Sequence, residues 1–197
     1  MKKIGLWFCL LFFTTVTVVD GYDKLPDGDG TIAINGNPEK LRHVLYRWIN
    51  SNTRQQVVNL YGPIEDWDTS DVSNMNSVFY GVKLYATFQR FNADISKWNM
   101  GAVTTMGNTF THAKAFNGDI SKWDTSQVTS MYAMFNDVDE FNGDISNWNT
   151  HKVTNMQHTF TYASKFNSDL SKWNTDKVTS MQQIFDVSGF KRTLCGG

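Results

Sequence analysis

A period of 25 residues runs through this sequence and restricts its fold more than any other feature. Six apolar positions recur at that spacing, whereas most polar residues between them change from copy to copy. The recurring residues are Trp98, Trp123, Trp148 and Trp173; Val103, Val128, Val153 and Val178; Met106, Met131, Met156 and Met181; Phe110, Phe135, Phe160 and Phe185; Phe91, Phe116, Phe141 and Phe166; and Ile95, Ile120, Ile145 and Leu170. One unit is too short to cover its own apolar side chains, so the pattern predicts units that stack like on like.

An earlier copy of the unit begins at Leu60 and joins the next copy after six extra residues. It keeps the same internal spacings at Ile64, Trp67, Val72, Met75 and Phe79. The repeat array is therefore assigned to residues 60–189, with five copies.

Each copy contains a short segment with helical spacing. Thr129 and Ser130 precede Met131, Met134 and Phe135, so a hydroxyl at an N-cap is followed by apolar residues at i, i+3 and i+4. This spacing predicts one short helix per repeat, and the Val-Thr pair predicts a short parallel strand. The expected fold class is therefore α/β, a short solenoid of five 25-residue turns.

The two ends of the array differ from its middle. Within a segment assigned to residues 22–59, Asn37 suits an N-cap and Pro38 suits the first helical position. The helix that follows has one apolar face, formed by Leu41, Val44, Leu45, Trp48 and Ile49. Such an amphipathic helix is placed to shield the first turn. Residues 190–197 are interpreted as an incomplete sixth repeat.

The first residues have the pattern of a secretory signal peptide. A short basic start precedes an apolar run from Ile4 to Val19, and cleavage is expected after Gly21. The alternative is an uncleaved membrane anchor, but the run is short for a bilayer span. Residues 1–21 are therefore predicted to be removed from a secreted, extracellular or cell-surface protein that has no remaining membrane span.

Charge and cysteine content exclude several classes of protein. The formal net charge is −1 and no basic block stands out, so a nucleic acid partner is not expected. Cleavage after residue 21 leaves Cys195 as the one remaining thiol, so no internal disulfide framework is expected.

The extra residues after Phe79 are the candidate binding site. Insertions in repeat proteins commonly lie in loops on one face, where tyrosine and arginine are favoured contact residues. The candidate contact residues are Tyr80, Lys83, Tyr85, Phe88 and Arg90. The alternative is a tolerated loop whose aromatic side chains pack against the array.

A recurring aspartate leaves two interpretations open. Asp94, Asp119, Asp144 and Asp169 share one position of the repeat. Stacked carboxylates repel one another, so one interpretation is a row of bound calcium ions. The other is that each aspartate caps backbone amides in a turn. No metal ligand set and no cofactor is assigned. Nucleophile-elbow, phosphate-loop and His-Glu-x-x-His motifs do not occur, so the protein is not expected to be an enzyme.

The repeat resembles that of a known family. The stretch FNGDISKWDTSQVTSMYAMF, residues 116–135, is similar to the 25-residue units of BspA-type leucine-rich-repeat surface proteins. The resemblance extends from Leu60 to Leu194 and implies a right-handed, leucine-rich-repeat-like solenoid outside the cell. It supplies no catalytic or binding residues.

These observations predict a secreted, non-enzymatic repeat protein that binds an extracellular protein or glycan, as an adhesin does. One alternative is a structural or assembly module that self-associates by stacking through its uncapped C-terminal turn, with Cys195 in an intermolecular disulfide. Another is a calcium-stabilised surface protein.

Overall fold

The structure is a computed structural model that describes residues 41–81 and 88–194. These residues contain two α-helices, α1 (Leu41–Ile49) and α2 (Arg54–Tyr61), and two 3₁₀ turns, Ile64–Asp66 and Phe88–Arg90. Across the same ranges, successive repeats are joined by isolated parallel bridges and no strand forms. The predicted α/β class is therefore wrong, because neither the helix nor the strand expected in each repeat is present.

Left-handed backbone conformations explain why the repeat helices do not form. The repeats are numbered 1 to 5 over residues 60–90, 91–115, 116–140, 141–165 and 166–189. In repeat 3, Ala133 lies between Met131 and Phe135 with φ 50°. A right-handed helix cannot continue through such a residue. The equivalent residues Asn108, His158 and Gln183 have φ between 54° and 57°.

The backbone hydrogen bonds of this segment run between repeats instead of along a helix. Asn108 donates its N–H to the carbonyl of Tyr132, and His112 donates to that of Asn136, at 2.8 and 2.9 Å. The intervening Thr111 closes a turn onto Asn108 at 3.2 Å. Every second N–H therefore points to the next repeat, and the segment is a ladder of turns.

The Val-Thr segment, which directly precedes the turn ladder, makes bonds in the opposite direction. Thr129 donates both its N–H and its Oγ1 hydroxyl to the carbonyl of Thr104, at 2.8 and 3.0 Å. Thr154 and Thr179 repeat this pair of bonds one and two units later. The threonine hydroxyl therefore adds a second hydrogen bond to the same carbonyl. Of the strand predicted in each repeat, the described residues show only one isolated bridge.

The recurring apolar residues form the core, as the sequence predicts. Rings of equivalent residues lie parallel: the Phe110 and Phe135 centroids are 5.5 Å apart at 6°, and those of Trp123 and Trp148 are 6.4 Å apart at 4°. Phe135 of repeat 3 also stacks on Phe141, the first residue of repeat 4, at 4.0 Å. Nearly all of these side chains are fully buried in one cluster. The positions that do not vary are therefore those whose side chains pack against the equivalent side chains of neighbouring repeats.

From repeat 2 onwards, the recurring tryptophan also bonds to the preceding repeat. The indole N–H of Trp123 donates to the carbonyl of Ile95, and that of Trp148 to the carbonyl of Ile120, at 3.1 and 3.0 Å. A phenylalanine could fill much of this space but could not donate, and the carbonyl would keep only the hydrogen bond from a backbone N–H. The lost inter-repeat bond explains why the position is tryptophan in repeats 2 to 5.

The N-terminal helices close one end of the core. α1 lies within the predicted amphipathic helix, and its residues Leu41, Val44 and Leu45 are buried in the same cluster as the repeats. α2, which the sequence did not predict, adds Val57 and Tyr61. The predicted helical start at Asn37 and Pro38 lies outside the described residues. No helix in the described ranges has the length and apolar character needed to cross a membrane.

The recurring aspartates cap turns. Asp119 Oδ1 accepts the N–H of Ser121 at 2.9 Å, and the other three aspartates of this position bond in the same way. This backbone hydrogen bond lowers the pKa of Asp119 below its ordinary value of 3.8. A second position shows that charge is not needed for such a turn, because Asp124 and Asn149 make the same bond there.

Replacing Asp119 should therefore separate capping from charge. We expect Asp119→Ala to lower the free energy of unfolding by about 0.5–1 kcal/mol, and Asp119→Asn to have a smaller effect because the amide oxygen still accepts. Since the folded state lowers the pKa, the contribution of the charge is complete at neutral pH and is lost as the pH falls below 3.8. Urea unfolding of the three proteins at pH 7 and pH 3 checks this. Equal losses in both variants at pH 7 would contradict it.

The turn of repeat 5 is less covered than those before it. Val178, Met181 and Phe185 are half-buried, whereas their counterparts in repeat 4 are fully buried. Within the described residues, the N–H groups of its turn ladder also meet no backbone carbonyl of a further repeat. These groups belong to Met181, Gln183, Phe185 and Val187.

Candidate functional site

The predicted insertion site is only partly described. Lys83 and Tyr85 lie outside the described residues. Phe88 is fully buried, 6.5 Å from the ring of Phe79, so its side chain belongs to the core and is not available to a partner. Arg90 is exposed and Tyr80 is half-buried. The described residues of the insertion therefore do not form one contact surface, although the loop itself stays a prediction.

A different concave surface lies across the turn ladders, and Tyr80 belongs to it. We call it the turn-face groove; it has a volume of about 360 Å³. It is lined by Tyr80, Asn108, Thr111, His112, Tyr132, Ala133, Asn136, His158, Thr161, Tyr162, Gln183 and Asp186. All five repeats contribute, so the groove runs along the direction of stacking.

Several residues that line this groove have a left-handed backbone conformation. His158 and Tyr162 in repeat 4 have φ 57° and 58°, and His112 in repeat 2 has φ 61°. Non-glycine residues are uncommon in this region of backbone conformation. Their N–H groups bond to the next repeat, at 3.0 Å for His158 and 2.9 Å for Tyr162. The inter-repeat hydrogen bonds therefore stabilise the backbone that carries the groove side chains.

Aromatic and imidazole rings are the largest groups in the groove. The rings of Tyr80 and His112 are 5.6 Å apart, and those of Tyr132 and His158 meet edge to face at 6.0 Å. Tyr132 is 37% exposed and Tyr162 is 50% exposed. Because most large aromatic residues of this protein are in the core, two exposed tyrosines in one concave surface are candidate contact residues.

His112 is held by a charged network beside the groove. Its Nδ1 lies 2.8 Å from Asp137 Oδ2, and Lys114 Nζ lies 3.3 Å from both Asp137 Oδ1 and Asp139 Oδ2. The hydrogen bond to Asp137 raises the pKa of Lys114. A carboxylate only accepts, so the proton lies on Nδ1 and the Nε2 of a neutral ring is left as an acceptor. The network thereby fixes the orientation of His112.

Sequence reasoning missed this groove, although the sequence contained a signal. Repeats 2 and 4 both carry Thr-Phe-Thr, at residues 109–111 and 159–161, whereas repeat 3 has Met-Phe-Asn at 134–136. The array thus alternates with a period of 50 residues in the segment that lines the groove. Thr111 and Thr161 occupy equivalent positions in this alternation. Their hydroxyls donate to the carbonyls of Ala133 and Gln183, respectively.

The described residues offer no ligand group for the calcium ions of one interpretation of the recurring aspartates. In residues 41–81 and 88–194, no three side chains of histidine, cysteine, aspartate or glutamate come close enough to hold a metal ion. The aspartates considered for calcium instead accept backbone N–H groups, as in the capping interpretation.

Comparison with known families gives one match. The family described as "Mycoplasma protein of unknown function, DUF285" matches residues 50–88 and 82–194, which together include the whole repeat array. The chain belongs to this family. No curated protein and no solved structure matches the chain. The family description carries no activity, so function must be argued from the groove.

Proposed function

We propose that this protein is a secreted, non-enzymatic surface protein that binds an extracellular protein or glycan through the turn-face groove. The observation that carries the proposal is the pair of exposed tyrosines, Tyr132 and Tyr162, in a concave surface that also presents amide and imidazole groups. Ligand sites are typically concave and combine aromatic surface with a few placed polar groups.

The sequence supports a place outside the cell. Residues 1–21 have the pattern of a signal peptide, and the repeat resembles that of BspA-type surface proteins. Among these proteins, adhesins bind other proteins or cells, which suggests the same kind of role here. We therefore assign this chain to the BspA-like members of its family as part of the proposal.

The test is a binding assay on arrays of glycans, matrix proteins and cell-surface extracts, with residues 22–197 of the chain. We expect selective binding that is lost in the double variant Tyr132→Ala/Tyr162→Ala. Leu60→Ala is the matched control, because Leu60 is 60% exposed on α2 and does not line the groove. A double variant that binds as well as the unchanged chain would overturn the proposal.

A second variant distinguishes the groove from the insertion. Residues 82–87 are replaced by a Gly/Ser loop, while the buried Phe88 is retained. The groove proposal predicts that this variant keeps its binding. Loss of binding here, with none in the tyrosine variant, would instead place the site at the predicted insertion.

The uncovered turn of repeat 5 favours a second candidate function, assembly with another chain. Its four turn-ladder N–H groups lack an acceptor within the described residues, and Val187 is 65% exposed. Two copies that meet through this end would set donors against donors along the ladder, which is unfavourable. A partner must therefore present carbonyls. We therefore expect the chain alone to stay monomeric at this end in the presence of reductant. Light scattering at increasing concentration, with and without reductant for Cys195, checks this, and growth with concentration under reducing conditions would contradict it.

A further inference from the structure

The lining of the turn-face groove is polar but carries little charge. Amide side chains come from repeats 2, 3 and 5, as Asn108, Asn136 and Gln183. Among the lining residues, Asp186 is the one carboxylate, and lysine and arginine are absent from the lining. Amides both donate and accept hydrogen bonds. This surface therefore suits a ligand with many hydroxyl groups better than an anion or a strongly basic peptide.

The groove lacks the apolar pocket that a protein partner would use. Its one aliphatic lining residue is Ala133, which is 5% exposed. Protein interfaces depend on a few side chains that fill well-packed, fully desolvated pockets. A partner with large apolar anchors would find no place for them among the described lining residues, whereas flat aromatic surface is available at Tyr132 and Tyr162.

Sugar rings match this combination. A pyranose has faces formed by C–H groups, which stack on aromatic rings, and an edge of hydroxyls, which bond to amides and imidazoles. The Nε2 of His112, whose ring orientation is fixed by the contact with Asp137, adds a directed hydrogen-bond partner for a hydroxyl. Both kinds of group occur together in the groove.

The shape of the groove favours a chain of sugars. Equivalent rings of repeats 2 and 3 are 5.5 Å apart, and those of repeats 3 and 4 are 5.6 Å apart. The lining extends from Tyr80 in repeat 1 to Asp186 in repeat 5, which is several such steps. A single ring would occupy only part of this length.

We infer that the ligand of the turn-face groove is a linear, uncharged oligosaccharide that lies along the stack of repeats, with sugar rings against Tyr132 and Tyr162. This inference rests on the proposed function, because it names the ligand class of that same site. The sequence left two classes of partner open, an extracellular protein and a glycan, and this inference selects the glycan.

To test this inference, the cell-surface material that the protein binds is treated in two ways before the binding assay is repeated. One sample is oxidised with periodate, which cleaves the vicinal diols of sugars, and the other is digested with proteinase K. We expect groove-dependent binding to be abolished by periodate and to survive the protease. Cellohexaose and maltohexaose, whose rings carry the vicinal diols that periodate cleaves, are then titrated as soluble competitors beside a glycan array, with glucose as the single-ring control.

The variants give the quantitative part of the test. Tyr132→Ala and Tyr162→Ala should each weaken glycan binding roughly tenfold, the loss expected for one aromatic contact, whereas Tyr→Phe at either position should change it less than about threefold. Leu60→Ala should bind normally. Because both tyrosines are exposed, unchanged melting temperatures serve as the folding control.

Failure of this inference differs from failure of the proposed function. Groove-dependent binding that is destroyed by protease and survives periodate identifies a protein ligand, which overturns the glycan while keeping the binding site. Glycan binding that is unaffected by the tyrosine variants overturns the assignment to the groove. Absence of any groove-dependent binding overturns both proposals.

Discussion

Replacement of Trp148 by alanine is expected to lower the free energy of unfolding by about 3–5 kcal/mol. The ring is buried between Trp123 and Trp173, at centroid distances of 6.4 and 6.5 Å, and is tilted against Phe135 at 6.2 Å. Its removal leaves a cavity in the middle of the stack, where neighbouring repeats above and below hold the walls apart. It also removes one of the two donors to the carbonyl of Ile120, which keeps the backbone N–H of Trp123.

A conservative variant separates these two effects. Trp148→Phe keeps much of the ring volume and removes the indole N–H, so we expect a smaller loss of about 1–3 kcal/mol. Chemical denaturation followed by circular dichroism measures both variants. If Trp148→Ala were destabilised by less than about 1 kcal/mol, the tryptophan position would not be part of a packed core.

The second large effect is expected at Gly81. A Cβ atom added there would lie 2.5 Å from the carbonyl oxygen of His112 and 3.0 Å from its carbon, and both are backbone atoms that cannot rotate away. The N–H of Gly81 also donates to Thr111 at 2.9 Å, so the two repeats cannot separate without loss of this bond. We expect Gly81→Ala to cost about 1–3 kcal/mol or more.

Gly101→Ala is the matched control for this prediction. The nearest atoms to a Cβ at Gly101 belong to the side chains of Asn99 and Asp124, at 3.3 and 3.7 Å, and these can adjust. We expect its midpoint of thermal unfolding to stay close to that of the unchanged chain. Equal shifts for the two alanine variants would show that contact between repeats 1 and 2 is not as close as described.

The core could be predicted from the sequence because it depends on repetition alone. A side chain that meets its own copy above and below, such as Phe135 between Phe110 and Phe160, cannot change in one repeat without a misfit in the next. The strict positions therefore indicated burial before any conformation was known. The amphipathic helix was predictable for a similar reason, since Leu41, Val44 and Leu45 share one face.

The backbone of each turn could not be predicted from the same pattern. The spacing from Met131 to Phe135 fits one turn of a helix, and it fits the turn ladder equally well. What distinguishes the two is the left-handed conformation of Ala133 and Asp137. A left-handed position can be predicted from sequence when glycine occupies it, but other residues occupy these positions. The hydrogen bonds that stabilise the conformation join different repeats, so the local sequence does not predict them.

The candidate site was missed because its residues come from five repeats. Tyr132, His158 and Tyr162 occupy positions that vary between copies, and variation at a 25-residue spacing does not indicate which residues share one groove. The insertion stood out only as a break in the period. Its Phe88 proved to be a core residue, which is the outcome that the alternative interpretation of a packed loop had allowed.

The repeats stack through a turn ladder whose N–H groups point towards repeat 5. Residue-resolved amide hydrogen exchange tests this stacking. In repeat 4 the ladder amides are those of Met156, His158, Phe160 and Tyr162, bonded at 2.8–3.0 Å to the carbonyls of repeat 5. The equivalent amides of repeat 5 are those of Met181, Gln183, Phe185 and Val187, for which the described residues provide no such carbonyl.

We expect slow exchange for the four amides of repeat 4 and rapid exchange for the four of repeat 5, because protection follows the backbone hydrogen bond. Equally rapid exchange in both repeats would contradict the stacked ladder, and with it the groove that the ladder forms.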